Sequence, residues 1–518
     1  MKIPLPVPKF NKEIPKPDHP IIDFNPEIPA ITQLKDKNKI NVRYSLIAPY
    51  ATAHIYWNKK IGELVYEVEE PILDDKEKQI LEKVEHGITE LINFNVVLEK
   101  SQEALLSYLN KMAKVILSEL GKKLSEESYS RIFYYIYRDF VGLNQIEPLM
   151  KDFFIEDVEC NGLNTPIYLV HRVYRNLRTN VMFTDIDEIG SFVEKLAQRT
   201  GRYISYATPL LDGTLPDGSR VNATYTTDIS SRGPTFTIRK FTKVPFTPTQ
   251  LIDLKTLSAE MLAYFWILLQ YKSNILITGG TGSGKTTLLN ALAFFIPPEA
   301  RVVSIEDTRE LTLPRENWLP SVARSGLGGE GEIDLFTLLK ESFRQNPDYV
   351  IVGEVRGKEA YVLFQGMASG HPSLSTIHAD SITSVIQRLE TPPINLSPTL
   401  LNTLDVVAVM SHSSAKDNRK LKKVTEIINV DSNGKAESNT LFIWKPSSDS
   451  FFFKTRSIVF DKISERYGID PGKLEEEFRS RTQLLFSLAK KKIFNFTKLQ
   501  KIINNYYKNP QKVIQEYL

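Results

Sequence analysis

Apolar residues recur along the chain with two periods, and the change of period divides the chain into regions. Residues 40–80 contain short segments, such as 53–57 and 63–68, whose pattern of apolar and polar positions suggests strands. Between 105 and 120 the apolar positions are three and four residues apart, which predicts a helix with one buried face. The alternating pattern returns after residue 150. We therefore predict an α+β domain over 36–242, helical over 85–145 and strand-rich over 150–240.

The second half of the chain alternates short apolar segments with helical ones. This order predicts a mostly parallel sheet with helices on both faces, the α/β class. We assign this α/β domain to 243–435, after a linker with two prolines, and a helical, basic region to 436–518. The lysine run at 490–492 is either a solvated helix face or a contact with acidic lipid head groups or a partner. Four candidate strands carry the α/β pattern: 275–278, 302–305, 349–352 and 374–377.

Prolines occupy eight positions between 4 and 29. Because proline fixes φ and lacks an N–H donor, this composition predicts an extended arm over 1–35, either a docking segment or a solvated tail. The composition of the 518-residue chain, 42% apolar and 25% charged, is that of a globular protein of several domains. A net charge of +3 gives no reason to expect direct nucleic-acid binding. The single cysteine, Cys160, excludes a disulfide within the chain. No apolar stretch reaches the ~20 residues of a membrane span, so we expect a cytoplasmic protein that can touch the membrane face.

A complete phosphate-binding motif follows the strand at 275–278. Its glycines let backbone N–H groups surround phosphates, and the following helix N-terminus adds positive potential. Lys285 is predicted to contact the β- and γ-phosphates, and the Thr286 hydroxyl to bind Mg²⁺. The alternative is a glycine-rich turn without a ligand. The predicted nucleotide-binding residues are Gly279, Gly280, Thr281, Gly282, Ser283, Gly284, Lys285, Thr286 and Thr287.

Acidic residues and a histidine end the next three strands. Glu354 ends a buried strand and is predicted to hold Mg²⁺ through water. Glu306 and Asp307 follow another strand, at the edge where open α/β sheets bind ligands. We choose Glu306 to orient the attacking water, with Asp307 as the neighbouring alternative or a helix cap. His378 either senses the γ-phosphate by hydrogen bonding or is structural.

Four segments in this order resemble the secretion ATPases of type II and type IV systems. They are the phosphate loop, IEDTREL (305–311), FRQNPDYVIVGEVRGKEA (343–360) and ASGHPSLSTIHAD (368–380), which match the Walker A, Asp, Walker B and His boxes. Further segments between 155 and 241 look like the archaeal branch, although the tetracysteine zinc module of bacterial type II enzymes is absent from this sequence.

The resemblance implies a RecA-like C-terminal domain, a homohexameric ring and ATP with Mg²⁺ at an interdomain site. Arginines of the N-terminal domain would reach the γ-phosphate, and the matching positions are Arg220 and Arg239, with Arg232 as a rival. Arg344 and Arg356 match arginines of the catalytic domain. The implied partners are a polytopic membrane platform protein and accessory cytoplasmic motor proteins.

Within this family we favour the motor that assembles, and possibly rotates, the archaellum, a pilus-like archaeal filament. The alternatives are an ATPase for adhesive pili or secretion, and a DNA-translocating conjugation ATPase. A nucleotide-gated scaffold with little hydrolysis is the alternative of another class. No Asn-Lys-x-Asp motif occurs, which argues against a GTPase.

Overall fold

The structure is a computed structural model of the protein. The chain forms two compact units, Met1–Phe241 and Thr242–Leu518. The predicted proline-rich arm, 1–35, lies mostly outside the described residues, as do residues 243 and 244 of the predicted linker. The structure describes residues 19–24, 26–29, 31, 36–91, 102–241, 245–324, 331–413, 418–431 and 435–518.

The first unit is built around a nine-stranded sheet in the order β1-β2-β3-β6-β5-β4-β9-β8-β7. The pair β3–β6 is parallel and the other pairs are antiparallel. Its strands are β1 (Asn41–Ile47), β2 (Ala51–Asn58), β3 (Glu63–Glu69), β4 (Ile155–Cys160), β5 (Pro166–His171), β6 (Arg175–Met182), β7 (Leu210–Thr214), β8 (Arg220–Thr224) and β9 (Thr235–Arg239).

Alternation of side chains explains how this sheet forms a core. In β2, Ala51, Ala53 and Ile55 are fully buried, while the residues between them are less so. Val84 and Leu109, from two helices, belong to the same core, so the helices pack on the buried face. A π-helical turn, Tyr137–Val141, continues the third helix. The helices are α1 (Asp75–Leu91), α2 (Gln102–Glu119), α3 (Glu126–Ile136), α4 (Glu147–Lys151) and α5 (Ile186–Arg199).

The second unit contains another nine-stranded sheet, in the order β12-β11-β13-β14-β10-β15-β16-β17-β18. Neighbouring strands from β12 to β15 are parallel, and those from β15 to β18 are antiparallel. The strands are β10 (Ile275–Thr278), β11 (Val302–Glu306), β12 (Trp318–Val322), β13 (Tyr349–Val355), β14 (Ser373–Ile377), β15 (Val406–Ser413), β16 (Asn418–Val430), β17 (Ala436–Lys445) and β18 (Ser450–Phe453).

Helices cover both faces of this sheet, as the alternation of strands and helices predicts. Ile275 and Ile277 of β10 join one apolar core, whereas Leu276 between them joins the other. Strands buried on both faces need such continuous apolar runs. The α/β prediction is confirmed. The helices are α6 (Pro248–Asp253), α7 (Ala259–Gln270), α8 (Lys285–Ala293), α9 (Leu335–Ser342), α10 (Glu359–Ala368), α11 (Ile382–Glu390), α12 (Pro398–Leu401), α13 (Ile458–Tyr467), α14 (Pro471–Lys490), α15 (Phe496–Lys508) and α16 (Pro510–Tyr517).

The region assigned as helical, 436–518, differs at its start. Residues 436–453 form β17 and β18, and the first helix of the region begins at Ile458. The reason is tertiary pairing, because the apolar run at 441–444 lies in β17 and that strand pairs with β16. Within the described residues, no helix combines the length and apolarity that a membrane span requires.

Candidate functional site

Four neighbouring parallel strands end at one edge of the second sheet, and each ends in a predicted site residue. The phosphate loop follows β10, His378 follows β14, Glu354 lies near the end of β13, and Glu306 ends β11. These strands are adjacent in the order β10-β14-β13-β11. Ile377 of β14 pairs in register with Thr278, on one side, and Val355, on the other. The topology therefore brings together residues that are up to about a hundred positions apart in the chain.

The phosphate loop is tightly folded at its first glycine. A Cβ atom on Gly279 would lie 2.6 Å from Ser283 Oγ and 2.7 Å from the Met410 carbonyl oxygen, so only glycine fits there. The Ser283 hydroxyl is buried and donates to the Gly280 carbonyl over 2.8 Å. Gly284 caps α8 in the left-handed conformation, with φ of 92°. The loop is therefore a tight turn that leads directly into α8.

Lys285 begins α8 and lies over this loop. Its Nζ atom donates to the Gly279 and Gly280 carbonyls, each over 3.1 Å. Partial burial lowers the pKa of Lys285, and the Glu354 carboxylate opposes this shift. Thr286 and Thr287 occupy the first turn of α8 and are partly exposed.

Two residues of the β15–β16 hairpin support the phosphate loop, and the sequence analysis missed both. Arg419 donates from Nε to the Gly282 carbonyl over 3.0 Å. A Cβ atom on Gly284 would lie 3.5 Å from Met410 Cε and 3.6 Å from Arg419 Cδ. Arg419 is 137 positions from Gly282 in the chain, and no local signal marks such a contact.

Glu306 is 2% exposed, which is unusual for an acidic side chain. Its Oε1 atom accepts hydrogen bonds from the backbone N–H groups of Glu310, over 2.8 Å, and Leu311, over 2.9 Å. Its Oε2 atom is buried and has no hydrogen-bond partner among the described residues. Burial raises the pKa of Glu306 to about 7, against the opposing effect of the two N–H donors. This carboxyl group can exchange a proton near neutral pH.

Glu354 takes part in a charged cluster at the same edge. Arg356 Nη2 lies 2.5 Å from Glu354 Oε2, and Arg356 Nη1 lies 4.0 Å from Asp307 Oδ2. The turn that carries Arg356 is fixed by Glu359, whose Oε1 accepts from the backbone N–H groups of Arg356 and Gly357. Asp307 is thus placed beside an exposed arginine, whereas Glu306 points into the sheet.

His378 lies beside the phosphate loop. It shares a cleft with Gly280 and with Arg388 of α11. Arg388 Nη1 donates to the His378 carbonyl over 2.8 Å, which fixes the backbone there. His378 is partly exposed and lines this cleft.

The predicted arginines occupy different places. Arg220 on β8 and Arg239 on β9 are paired in register in the first unit. Arg220 lies 2.8 Å from Asp212, and Arg239 lies 3.0 Å from Asp157. The two guanidinium groups are exposed, and each has an acidic neighbour.

Arg232 lies in the first unit and Arg344 in the second, and their contacts differ. The Arg232 backbone carbonyl accepts from Leu163 N–H in the first unit. Arg344 of the second unit is highly exposed and lies 3.8 Å from Glu341.

Comparison with known proteins identifies the family. The family model for type II/IV secretion system proteins matches residues 167–441, just over half of the chain. An uncharacterized protein of Methanocaldococcus jannaschii is 35% identical over 501 residues, which cover 92% of this chain and 90% of that protein. The type IV secretion system protein VirB11 of Bartonella henselae is 29% identical over an aligned region that spans 48% of this chain and 80% of VirB11.

Among solved structures, the X-ray structure of the Yersinia pseudotuberculosis ATPase DotB has a TM-score of 0.39 and 16% identity, covering 74% of this chain and 94% of its own. The second unit has the α/β architecture that the resemblance implies, a mostly parallel sheet with helices on both faces. The arrangement of the four strand ends and the near-complete alignment with the archaeal relative lead to one conclusion: the chain belongs to the type II/IV secretion system protein family.

Proposed function

We propose that this protein hydrolyses ATP and that the hydrolysis drives a secretion-type motor. One observation carries the proposal. Glu306, Glu354 and His378 end or follow three adjacent parallel strands, and the glycine loop that leads to Lys285 follows the fourth; a side chain at Gly279 in this loop would clash. Open α/β sheets bind nucleotides at this edge.

The phosphate loop would bind the triphosphate through its backbone N–H groups and the N-terminus of α8. The Lys285 ammonium group would neutralise charge on the β- and γ-phosphates. Thr286 and Glu354 offer the oxygen ligands that Mg²⁺ prefers, and Mg²⁺ keeps several waters and few protein ligands in such sites. When bound, Mg²⁺ would neutralise charge that develops on the phosphate oxygens.

Glu306 would align the attacking water and accept its proton. Its raised pKa, about 7, suits a base that works near neutral pH. Its Oε2 atom is enclosed in the described conformation, while Oε1 is held by Glu310 and Leu311. Access of water to Oε2 would therefore require local movement around Glu306. Hydrolysis would then depend on a conformational step, as a motor requires.

The remaining charged residues would act on the γ-phosphate. Arg220 and Arg239, with Arg232 as the rival, are the proposed arginines of the first unit, and Arg344 and Arg356 those of the second. Release of Arg220 or Arg239 from its aspartate partner would let the guanidinium group bind phosphate, which its planar donors fit well. His378 would hydrogen-bond the γ-phosphate from the cleft beside Gly280.

At the level of the cell, we propose a homohexamer that passes work to a polytopic membrane platform protein and assembles an archaeal pilus-like filament, the archaellum. Accessory cytoplasmic motor proteins would complete the machine at the cytoplasmic face of the membrane. The archaeal relative, aligned over 92% of this chain, supports the archaeal setting. An adhesive pilus and a type II-like secretion system are the alternatives, and loss of swimming, adhesion or secretion on gene deletion separates them.

The direct test is phosphate release by the purified full-length chain with Mg-ATP. We expect turnover that Lys285→Ala lowers by at least about 100-fold, because charge neutralisation is the main catalytic demand of phosphoryl transfer. Lys272→Ala, at an exposed position in the same unit, is the matched control and should keep full activity. Glu306→Gln should bind nucleotide without hydrolysing it.

Nucleotide binding by the wild-type chain without turnover would establish the scaffold alternative instead. This chain is 33% identical, over 43% of its length, to the conjugal transfer protein TrbB of Rhizobium radiobacter. The DNA-translocating alternative therefore needs a test of its own. Turnover that rises several-fold when DNA is added would favour that alternative, and unchanged turnover would favour the filament motor.

A further inference from the structure

The C-terminal helices carry a concentration of positive charge that the nucleotide site does not use. Residues 490–518 contain seven lysines, one acidic residue and no arginine. This segment lies beyond residue 441, where the match to the family model ends. The lysines, which we call the C-terminal lysine surface, are Lys490, Lys491, Lys492, Lys498, Lys501, Lys508 and Lys512.

All seven lysines are exposed. Among the residues that the structure describes, no carboxylate forms an ion pair with any of them. Lys491 donates from Nζ to the Tyr517 carbonyl over 2.6 Å, which joins the end of α14 to the end of α16. The positive charge is thus left uncompensated at the surface, in contrast to the paired arginines of α14, such as Arg479 with Glu475 at 3.4 Å.

The central part of the surface is one face of α15. Lys498, Lys501 and Lys508 fall within roughly 80° of the helix circumference at 3.6 residues per turn. The opposite face is buried through Leu499 and Ile503. The lysines are therefore displayed together on one side of a firmly packed helix.

Contacts to the rest of the second unit fix this helix. Gln500 Nε2 donates to the Phe294 carbonyl, at the end of α8, over 3.1 Å. Phe496 packs edge-on against the Phe294 ring with centroids 4.9 Å apart. This support fixes the positions of the lysines before any ligand binds. Binding therefore costs less conformational entropy than it would for a flexible tail.

An apolar side chain adjoins the charged residues. Phe486 is 60% exposed, although it is a large aromatic residue. It lies four positions before Lys490 on α14, and residues four apart share a helix face. Lysines beside an exposed aromatic ring are typical of helices that lie at a membrane interface.

We propose that the C-terminal lysine surface binds the anionic lipid head groups of a membrane. Ammonium groups are point charges that need no fixed partner geometry, whereas arginine provides bidentate recognition of one phosphate, and this segment contains only lysines. A lipid surface supplies many phosphates in a plane, and Phe486 adds an apolar contact that a nucleic-acid backbone does not need. Attraction of this kind acts within a Debye length and is weakened by salt.

The test is co-sedimentation of the full-length chain with vesicles. We expect binding to phosphatidylcholine vesicles that contain phosphatidylglycerol, and little binding to phosphatidylcholine alone. Raising the salt from roughly 0.05 M to 0.5 M should release the protein. The triple variant Lys498→Gln, Lys501→Gln, Lys508→Gln should bind at least ~10-fold more weakly, because each basic residue near a charged bilayer contributes several-fold to the affinity.

The matched control is the triple variant Lys59→Gln, Lys60→Gln, Lys122→Gln, which removes three positive charges from the first unit. All three of these lysines are exposed. This variant should bind vesicles nearly as well as the wild type. Mg-ATP turnover and the thermal transition should be unchanged in both variants, which separates this proposal from that of hydrolysis. Three results would overturn the proposal. The two triple variants could lose vesicle binding equally, or the wild type could bind neutral and anionic vesicles equally well. The third is binding to DNA but not to anionic vesicles.

Discussion

Glu306 on β11 lies directly against Gly353 on β13, because a Cβ atom on Gly353 would stand 3.3 Å from Glu306 Cγ. That separation is tighter than most side-chain contacts in proteins, so the absence of a side chain at Gly353 makes room for the buried carboxyl group. The pair joins the strand that ends in the proposed base to the strand that ends in the proposed Mg²⁺ ligand.

Gly353→Ala should therefore lower turnover by displacing Glu306. We expect roughly a tenfold loss or more in the rate of phosphate release, since small displacements of catalytic groups are costly. Nucleotide affinity, measured with a fluorescent ATP analogue, should stay within about threefold, because the phosphate loop lies two strands away.

Gly190→Ala is the matched control for this substitution. Gly190 lies in α5, and the added Cβ atom would lie 4.0 Å from Tyr225 Cε2, an ordinary contact. It should leave turnover unchanged. Equal turnover in Gly353→Ala and wild type would remove the steric link between the two strands from the mechanism.

The first two glycines of the phosphate loop should respond differently to alanine. Gly279→Ala places Cβ 2.6 Å from Ser283 Oγ and 2.7 Å from a backbone oxygen of Met410, whereas Gly280→Ala meets nothing within 4 Å. Overpacking of this kind costs ~1–3 kcal/mol. Thermal unfolding without nucleotide should show a lower midpoint for Gly279→Ala and an unchanged midpoint for Gly280→Ala. Similar midpoints for the two variants would contradict the tight packing at Gly279.

The titration of Glu306 should be visible in the pH dependence of stability. Burial raises its pKa from 4.5 to about 7, so the folded state binds more protons than the unfolded state between these values. Stability therefore falls as pH rises through this range, and the penalty is complete above pH 7. Glu306→Gln does not titrate. Its free energy of unfolding relative to wild type should rise by on the order of 3 kcal/mol from below pH 4.5 to above pH 7.

Denaturant unfolding of the second unit in both proteins, at acidic and at mildly alkaline pH, measures this difference. Comparing the two proteins at each pH cancels the titration of all other groups. A difference that is the same at both pH values would show that Glu306 ionises normally in the folded protein.

Arg419 should contribute to nucleotide affinity through the phosphate loop. Its Nε atom holds the Gly282 carbonyl at 3.0 Å, and a hydrogen bond from a charged group contributes ~1.5–3 kcal/mol, less where it is partly exposed. Arg419→Ala should weaken ATP binding by about 5- to 10-fold and change kcat less than KM. Arg479→Ala, which removes an exposed arginine of α14, should do neither.

Arg419→Lys gives a further check, because it keeps the charge and loses the Nε donor. If affinity depends on the hydrogen bond to Gly282, the lysine variant should resemble the alanine variant. Recovery of full affinity by lysine would show that charge alone is required there.

Much of the second unit could be predicted from the sequence, because its signals are local. The strand at 275–278, the glycine loop and the helix that follows are consecutive, and their backbone geometry depends on residue types a few positions apart. Strands buried on both faces need continuous apolar runs, so β11 and β13 were visible in the same way. The order of these segments also carried the family resemblance.

Other features depend on pairing between distant segments, which no local pattern encodes. The composition predicts a helical region from residue 436, but 436–453 form strands, because β17 pairs with β16 and β18 pairs with β17. The in-register pair Arg220 and Arg239, and the contact of Arg419 with Gly282, likewise arise only when the sheets are assembled.

The sequence by itself determined which residues are candidates for the nucleotide site and that they follow or end strands, since a lysine-bearing glycine loop and acids at strand ends are properties of short segments. Only the tertiary structure decided that Glu306 is enclosed and protonates near neutral pH, because burial and hydrogen bonding depend on what the neighbouring strand and the 307–311 segment place around it. It likewise decided that all seven C-terminal lysines are exposed and that the three on α15 lie opposite its buried face.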